Sequence, residues 1–284
     1  MQMRCAWNAL LGILPQWIRQ QISGQDTLQE IRLRTGLPPE LIASDGNRLL
    51  MGTAAAEDLN YCVNMASGYS PWTAESISEG YLTAPGGHRI GLCGQAVMRE
   101  GKLAGIRNLT SLCIRVARDV PGAAEGAEKF SGNLLILGIP GSGKTTLLRD
   151  LIRTFSDLGP ASVTAVDERG ELFPVMNGKP CFPAGMRTDI LTGCPKAEGI
   201  EMALRTMGPG MIAVDEITAE RDCTALTRAG WCGVRLLATA HASSVSDLKS
   251  RNLYRKLYES GLFSCAIVMQ PDKTWKMERL GNDR

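Results

Sequence analysis

The sequence has almost no excess of positive over negative side chains: 31 Lys and Arg stand against 29 Asp and Glu over 284 residues, a formal net charge of +2. That balance argues against a dedicated nucleic-acid coat, which carries a clear excess of Lys and Arg, although a local patch fits inside a neutral average. No apolar run reaches 18 residues, so no transmembrane helix is expected. The N-terminal run, residues 1–22, is broken by Asn8, Pro15 and Arg19 and is followed by no small-residue cleavage site, which argues against a signal peptide. Nine cysteines are present (Cys5, Cys62, Cys93, Cys113, Cys181, Cys194, Cys223, Cys232 and Cys265), and no two form CxxC. A ribbon-type zinc site is thereby excluded, and free thiols in a reducing cytoplasm are the simplest reading. NKxD and LSGGQ are both lacking, which argues against a GTPase and a transporter ATPase. No arginine-rich lid of the small-molecule kinase kind is evident either.

Hydrophobic residues make up 44% of the chain, enough for a full core, and the length suits roughly two domains. The best boundary is the Pro121-Gly122 region. Residues 1–120 read as a smaller α+β domain. Glu30-Ile31-Arg32-Leu33-Arg34 alternates strictly; His88 to Ile106 reads as a hairpin turning near Glu100-Gly101-Lys102; Leu112, Ile114 and Val116 alternate again. Such alternation means antiparallel sheet with one wet face. Trp7, Leu10, Leu11, Leu14 and Ile18 share a helical face, which suits either a core helix or a membrane-surface or partner-docking helix. Residues 126–284 alternate continuous apolar strands with helices: strands near 134–137, 162–166, 211–214, 234–238 and 266–269, and helices near 145–155, 198–207 and 222–229. The expectation is an α/β domain with a parallel sheet covered on both faces.

Gly138-Ile139-Pro140-Gly141-Ser142-Gly143-Lys144-Thr145 matches GxxxxGK[ST] in full, with a buried strand before it and a helix after it. The backbone N–H groups of such a loop cradle a phosphate at the positive end of the following helix. Gly138, Pro140, Gly141, Ser142, Gly143, Lys144, Thr145 and Thr146 are therefore the expected nucleotide-binding residues. Lys144 is expected to reach the β- and γ-phosphates and Thr145 to ligate Mg²⁺. Further on, Met211-Ile212-Ala213-Val214 ends in Asp215-Glu216. Alone, that pair would equally suit a helix cap. Beside a P-loop, Asp215 is expected to hold Mg²⁺ and Glu216 to polarise the attacking water, which favours a hydrolase over a small-molecule kinase.

His241, one of only two histidines, follows the strand that ends at Ala238. If this strand lies between the P-loop strand and the Asp215 strand, as in recombinase-like ATPases, His241 faces the γ-phosphate; the alternative is a satisfied loop histidine. Val166-Asp167-Glu168-Arg169 ends another strand at the same sheet edge, where ligands collect. Glu168 is a candidate to orient metal-bound water or to act as an accessory base, with a structural salt bridge to Arg169 as the competing reading.

With these residues placed, the chain resembles the stage III sporulation protein AA family of endospore-forming bacteria, which is similar to the ATPases of type II and type IV secretion systems. The likeness rests on Glu30 to Arg34, Gly80 to Gly91 and Ser111 to Arg118 in the first half, and on GIPGSGKTTLLRD, VDERGEL, residues 185–217 and TAHASS in the second. The resemblance implies that Glu168 and Glu171 belong to an acidic box, Glu216 to the catalytic-glutamate position and His241 to a histidine box. It also implies a homo-oligomeric, hexameric ring in which arginines of the N-terminal domain complete the nucleotide site. The partners it implies are membrane-embedded channel proteins of a sporulation apparatus, reached from the cytoplasmic face on the mother-cell side. Cys113 stands where Asn is expected and Thr218-Ala219 where a glycine-containing turn is expected; both departures bear on partner contacts. Among Arg89, Arg107, Arg115 and Arg118, the first choices for completing the site are Arg115, on the wet face of its strand, and Arg89, beside Gly86-Gly87.

The sequence thus leads to a Mg²⁺-dependent ATPase, the motor of a secretion-like channel in endospore formation. A recombinase- or helicase-type nucleic-acid-dependent ATPase is the alternative. No stable nucleic-acid binding is expected, because no Lys/Arg cluster is interleaved with aromatic residues.

Overall fold

Residues 5–23, 26–68, 80–176 and 178–281 are described by the computed structural model. The apolar N-terminal face forms two short helices, α1 (Trp7–Gly12) and α2 (Gln16–Arg19), rather than one. Pro15 separates them, since a proline disfavours helical conformation in the residue before it. Leu10, Leu14 and Ile18 are fully buried, with Trp7 and Leu11 packed beside them, so this face belongs to the core and not to a membrane surface. Residues 1–4 of that run lie outside the described residues.

The alternating segments then form one antiparallel sheet: β1 (Leu28–Arg34), β2 (Glu40–Ala43), β3 (Arg48–Leu49), β4 (Tyr81–Thr83), β5 (Arg89–Arg99) and β6 (Lys102–Arg115), in the order β3-β2-β1-β6-β5-β4. Helix α3 (Ala56–Ser67) packs against it. Ile31 and Leu33 of β1 and Leu112 and Ile114 of β6 enter the core, while Glu30, Arg32 and Arg34 keep their charge on the other face. The expected hairpin turns at Glu100 and Gly101, both with positive φ (50° and 75°), the backbone of a tight two-residue turn. The alternation at 112–115 is the end of β6, which runs for 14 residues, and Val116 follows just beyond it. The chain divides into two compact units at Asp119 and Val120.

The second unit holds a seven-stranded sheet: β7 (Leu134–Leu137), β8 (Val163–Asp167), β11 (Thr188–Thr192), β12 (Met211–Val214), β13 (Arg235–Ala240), β14 (Cys265–Met269) and β15 (Trp275–Arg279). A separate small pair, β9 (Val175–Met176) and β10 (Lys179–Pro180), lies between β8 and β11 in sequence. The sheet order is β11-β8-β12-β13-β7-β14-β15, and all neighbours are parallel except β14 and β15. Every residue of β7, β8, β12 and β14 is buried, as continuous apolar strands require when helices cover both faces. The helices are α4 (Lys144–Leu158), α5 (Lys196–Thr206), α6 (Glu220–Trp231), α7 (Val245–Ser250) and α8 (Asn252–Glu259). Strand β13 lies between β7 and β12, which meets the condition set for His241. Among the described residues, no helix is long and apolar enough to cross a membrane.

Candidate nucleotide site

The loop from β7 to α4 is shaped by its glycines. A Cβ at Gly138 would come within 2.4 Å of Ser142 Oγ, and Gly143 sits at φ 99°, a backbone that side-chain-bearing residues rarely adopt. Gly138, Pro140, Gly141, Ser142 and Gly143 form the loop, and Thr145 and Thr146 follow in the first turn of α4. No side chain caps that helix and no acidic residue occupies its first turn, so its N–H groups remain available to an anion. Ser142 Oγ is buried without a hydrogen-bond partner. A buried hydroxyl lacking a partner in a loop of uncapped N–H groups fits a phosphate oxygen. Lys144 Nζ donates to the carbonyls of Gly138 (2.8 Å) and Ile139 (3.0 Å) and lies 3.3 Å from His241 Nδ1. Burial pulls its pKa below the ordinary lysine value.

The sheet order brings the remaining groups to this loop. Thr145 Oγ1 donates to Asp215 Oδ2 (2.8 Å), and Thr239 Oγ1 donates to Asp215 Oδ1 (2.7 Å). The same Thr239 hydroxyl accepts the Glu216 N–H (2.8 Å). Glu216 has φ 47°, a left-handed backbone that costs a non-glycine residue about 1–3 kcal/mol. Its carboxylate lies 2.8 Å from His241 Nε2. Since the Lys144 ammonium has only protons to offer, His241 Nδ1 accepts and Nε2–H donates to Glu216, so the imidazole bridges lysine and glutamate. Tyr254 anchors the bridge, its OH accepting the His241 N–H (3.2 Å) and donating to the Ile217 carbonyl (3.0 Å). The Thr145 and Asp215 oxygens, brought together at the phosphate loop, are of the hard type that Mg²⁺ takes.

A second acidic group adjoins. Asp167 accepts the backbone N–H of Glu171 (2.8 Å), Leu172 (3.0 Å) and Phe173 (2.9 Å), which fixes the loop after β8. Burial nonetheless pushes its carboxyl up to about 6. Asp167, Glu168, Glu171, Lys196, Asp215 and Glu216 line one cavity. Glu168 is bound by Lys196 at the start of α5, not by Arg169, the partner of the competing structural reading.

Arg89 and Arg115 belong to the N-terminal sheet and face each other as cross-strand partners on β5 and β6. Arg115 Nε is 3.6 Å from Glu30, and the Arg89 guanidinium stacks 3.9 Å above the Tyr81 ring. Sequence reading missed Thr239, Tyr254 and Lys196. A polar residue inside the apolar run that follows Arg235 in β13 was a usable signal for Thr239. Tyr254 and Lys196 reach the site only through tertiary contacts.

The family described as sporulation stage III, protein AA matches residues 6–279. Over 271 residues the chain is 36% identical to stage III sporulation protein AA of Bacillus subtilis (strain 168), covering 90% of this chain and 88% of that protein. The chain belongs to the sporulation stage III protein AA family. It is also 26% identical over 253 residues to the protein SEEDLING PLASTID DEVELOPMENT 1 of Arabidopsis thaliana, covering 85% of this chain but 34% of that one. Among solved structures, this family member shares its fold with the ATPase DotB of Legionella pneumophila (TM-score 0.57, 17% identity, 89% of this chain and 76% of that one). It shares it likewise with the pilus retraction motor PilT bound to ADP (TM-score 0.58, 14% identity, 88% and 77%). The α/β P-loop fold expected from the sequence is therefore the fold of this protein.

Proposed function

We propose that this protein is a Mg²⁺-dependent ATPase that cleaves the β–γ phosphoanhydride and drives a secretion-like channel in endospore formation. The observation that carries the reading is the Glu216 carboxylate at the end of β12, joined through His241 to the P-loop Lys144. ATP phosphates occupy the cradle of residues 138–145, where Lys144 exchanges its carbonyl and histidine contacts for phosphate oxygens. Thr145 and Asp215 would hold Mg²⁺, which would supply charge neutralisation at the phosphates. Glu216 takes the proton of the attacking water, and His241 orients that carboxylate and senses the γ-phosphate through its link to Lys144. Arg89 or Arg115 of a neighbouring domain or subunit stabilises the charge that builds on the γ-phosphoryl oxygens.

The family and the fold shared with DotB and PilT support a motor, a homo-hexameric ring and membrane-embedded channel partners on the cytoplasmic side. Phosphate release measured with and without Mg²⁺, in wild type and Glu216→Gln, tests the chemistry. Particle mass with and without ATP-Mg²⁺ tests the ring.

A further inference from the structure

Lys196 is in an unfavourable place for a lysine. It opens α5, where the helix dipole repels a cation, and its side chain is only 6% exposed. Burying an ammonium is costly unless it is paired. Its partner is Glu168, on the loop that Asp167 fixes through three backbone N–H groups. Both residues line the cavity that also holds Asp215 and Glu216. Glu168 keeps a third of its surface open, so it is the member of the pair that remains accessible in that cavity, while Lys196 is walled in. Arg169 also lines the cavity, but the cation in contact with Glu168 is Lys196; without it, repulsion from Asp167, Glu171, Asp215 and Glu216 would drive Glu168 to swing away.

We propose that Lys196 is a positioning residue for the reaction: it holds the Glu168 carboxylate oriented toward the water beside Glu216. This rests on the ATPase reading of the site. Lys196 touches no reacting atom; its effect runs through Glu168. Removing it therefore leaves ATP binding in place and slows the chemical step.

The test is a double-mutant cycle on steady-state ATP hydrolysis with Lys196→Met, Glu168→Gln and the pair, together with Lys196→Arg. Thermal melting and fluorescent-nucleotide binding serve as controls. Lys196→Met is expected to lower kcat by about tenfold or more while KM changes by less than about twofold, the scale of losing an orienting partner. The double variant is expected to be no slower than Glu168→Gln alone, and Lys196→Arg to recover much of the loss. Multiplying losses in the double variant, an equal fall in nucleotide binding, or full activity in Lys196→Met would overturn the proposal. Should Lys196→Met fail to fold, the Glu168→Gln and Glu168→Gln/Lys196→Arg pair carries the cycle: a further loss in kcat contradicts action through Glu168. Wild-type protein that binds nucleotide but never hydrolyses it overturns the ATPase reading and this proposal together; turnover with multiplying losses overturns Lys196 alone.

Discussion

His241 Nε2 lies 2.8 Å from Glu216 Oε1, and the opposite nitrogen of the same ring lies 3.3 Å from Lys144 Nζ. The group that would activate water and the group that would grip the γ-phosphate are thus joined through one imidazole. Arrival of phosphate at Lys144 would alter what the ring's Nδ1 faces, and the imidazole links that change to Glu216.

Replacement of His241 by alanine is therefore expected to spare ATP binding and slow turnover by about tenfold to a hundredfold, as for other orienting partners. Stopped-flow nucleotide binding and steady-state phosphate release separate the two effects. Lost affinity with intact turnover would contradict the link.

Lys144→Ala is expected to abolish nucleotide binding, because no other side chain of the loop carries positive charge. Isothermal titration with ATP-Mg²⁺ checks this, and unchanged affinity would remove the phosphate assignment.

Thr239→Val preserves shape but strips Asp215 and the Glu216 N–H of their shared hydroxyl. These groups are half-buried, so leaving them unpaired is expected to cost about 1 kcal/mol. Urea unfolding is expected to show that loss, accompanied by slower turnover; a variant as stable and active as wild type would contradict the role.

Asp167 gives a pH signature. Its carboxyl is raised to about 6 by burial, above the ordinary value of 3.8. The native state thus binds the proton more tightly than the unfolded chain, and stability from this group falls as pH rises from about 4 through about 6. Urea midpoints of wild type and Asp167→Asn are expected to differ most in favour of wild type at the low end of that window and less above it. A difference that does not vary with pH would contradict the raised pKa.

Arg115 and Arg89 face each other across β5 and β6, Arg115 beside Glu30 and Arg89 over the Tyr81 ring, and each is a candidate to complete the nucleotide site of a neighbouring subunit. Mixing Arg115→Ala or Arg89→Ala protein with Lys144→Ala protein is expected to restore hydrolysis that neither shows alone. No rescue in confirmed mixed assemblies would contradict action between subunits.

Much of this architecture could be read locally. The apolar runs of β7 and β12 needed only their composition, and Gly138 to Thr145 announced the phosphate loop because its backbone demands glycine at fixed offsets. The placement of His241 was legible only as a condition on strand order, since which strand lies beside which is not a local property. Thr188 to Thr192 forms an edge strand with a half-exposed, partly polar sequence, which periodicity does not separate from loop. The break at Pro15 was visible, but the shared apolar face argued for one helix, and the proline prevailed. Lys196 was hidden for a different reason: a lysine at a helix start ordinarily lies in solvent, and only the carboxylates brought together by β8 and β12 explain its burial.

The central claim is that Glu216 supplies the base for Mg²⁺-dependent ATP hydrolysis. Release of inorganic phosphate from ATP by Glu216→Gln, compared with wild type at equal nucleotide occupancy, tests it most directly. ATP-Mg²⁺ binding is expected to be unimpaired and turnover to be slowed at least ~10²-fold, the usual worth of a positioned base. Turnover matching wild type at equal occupancy would contradict it.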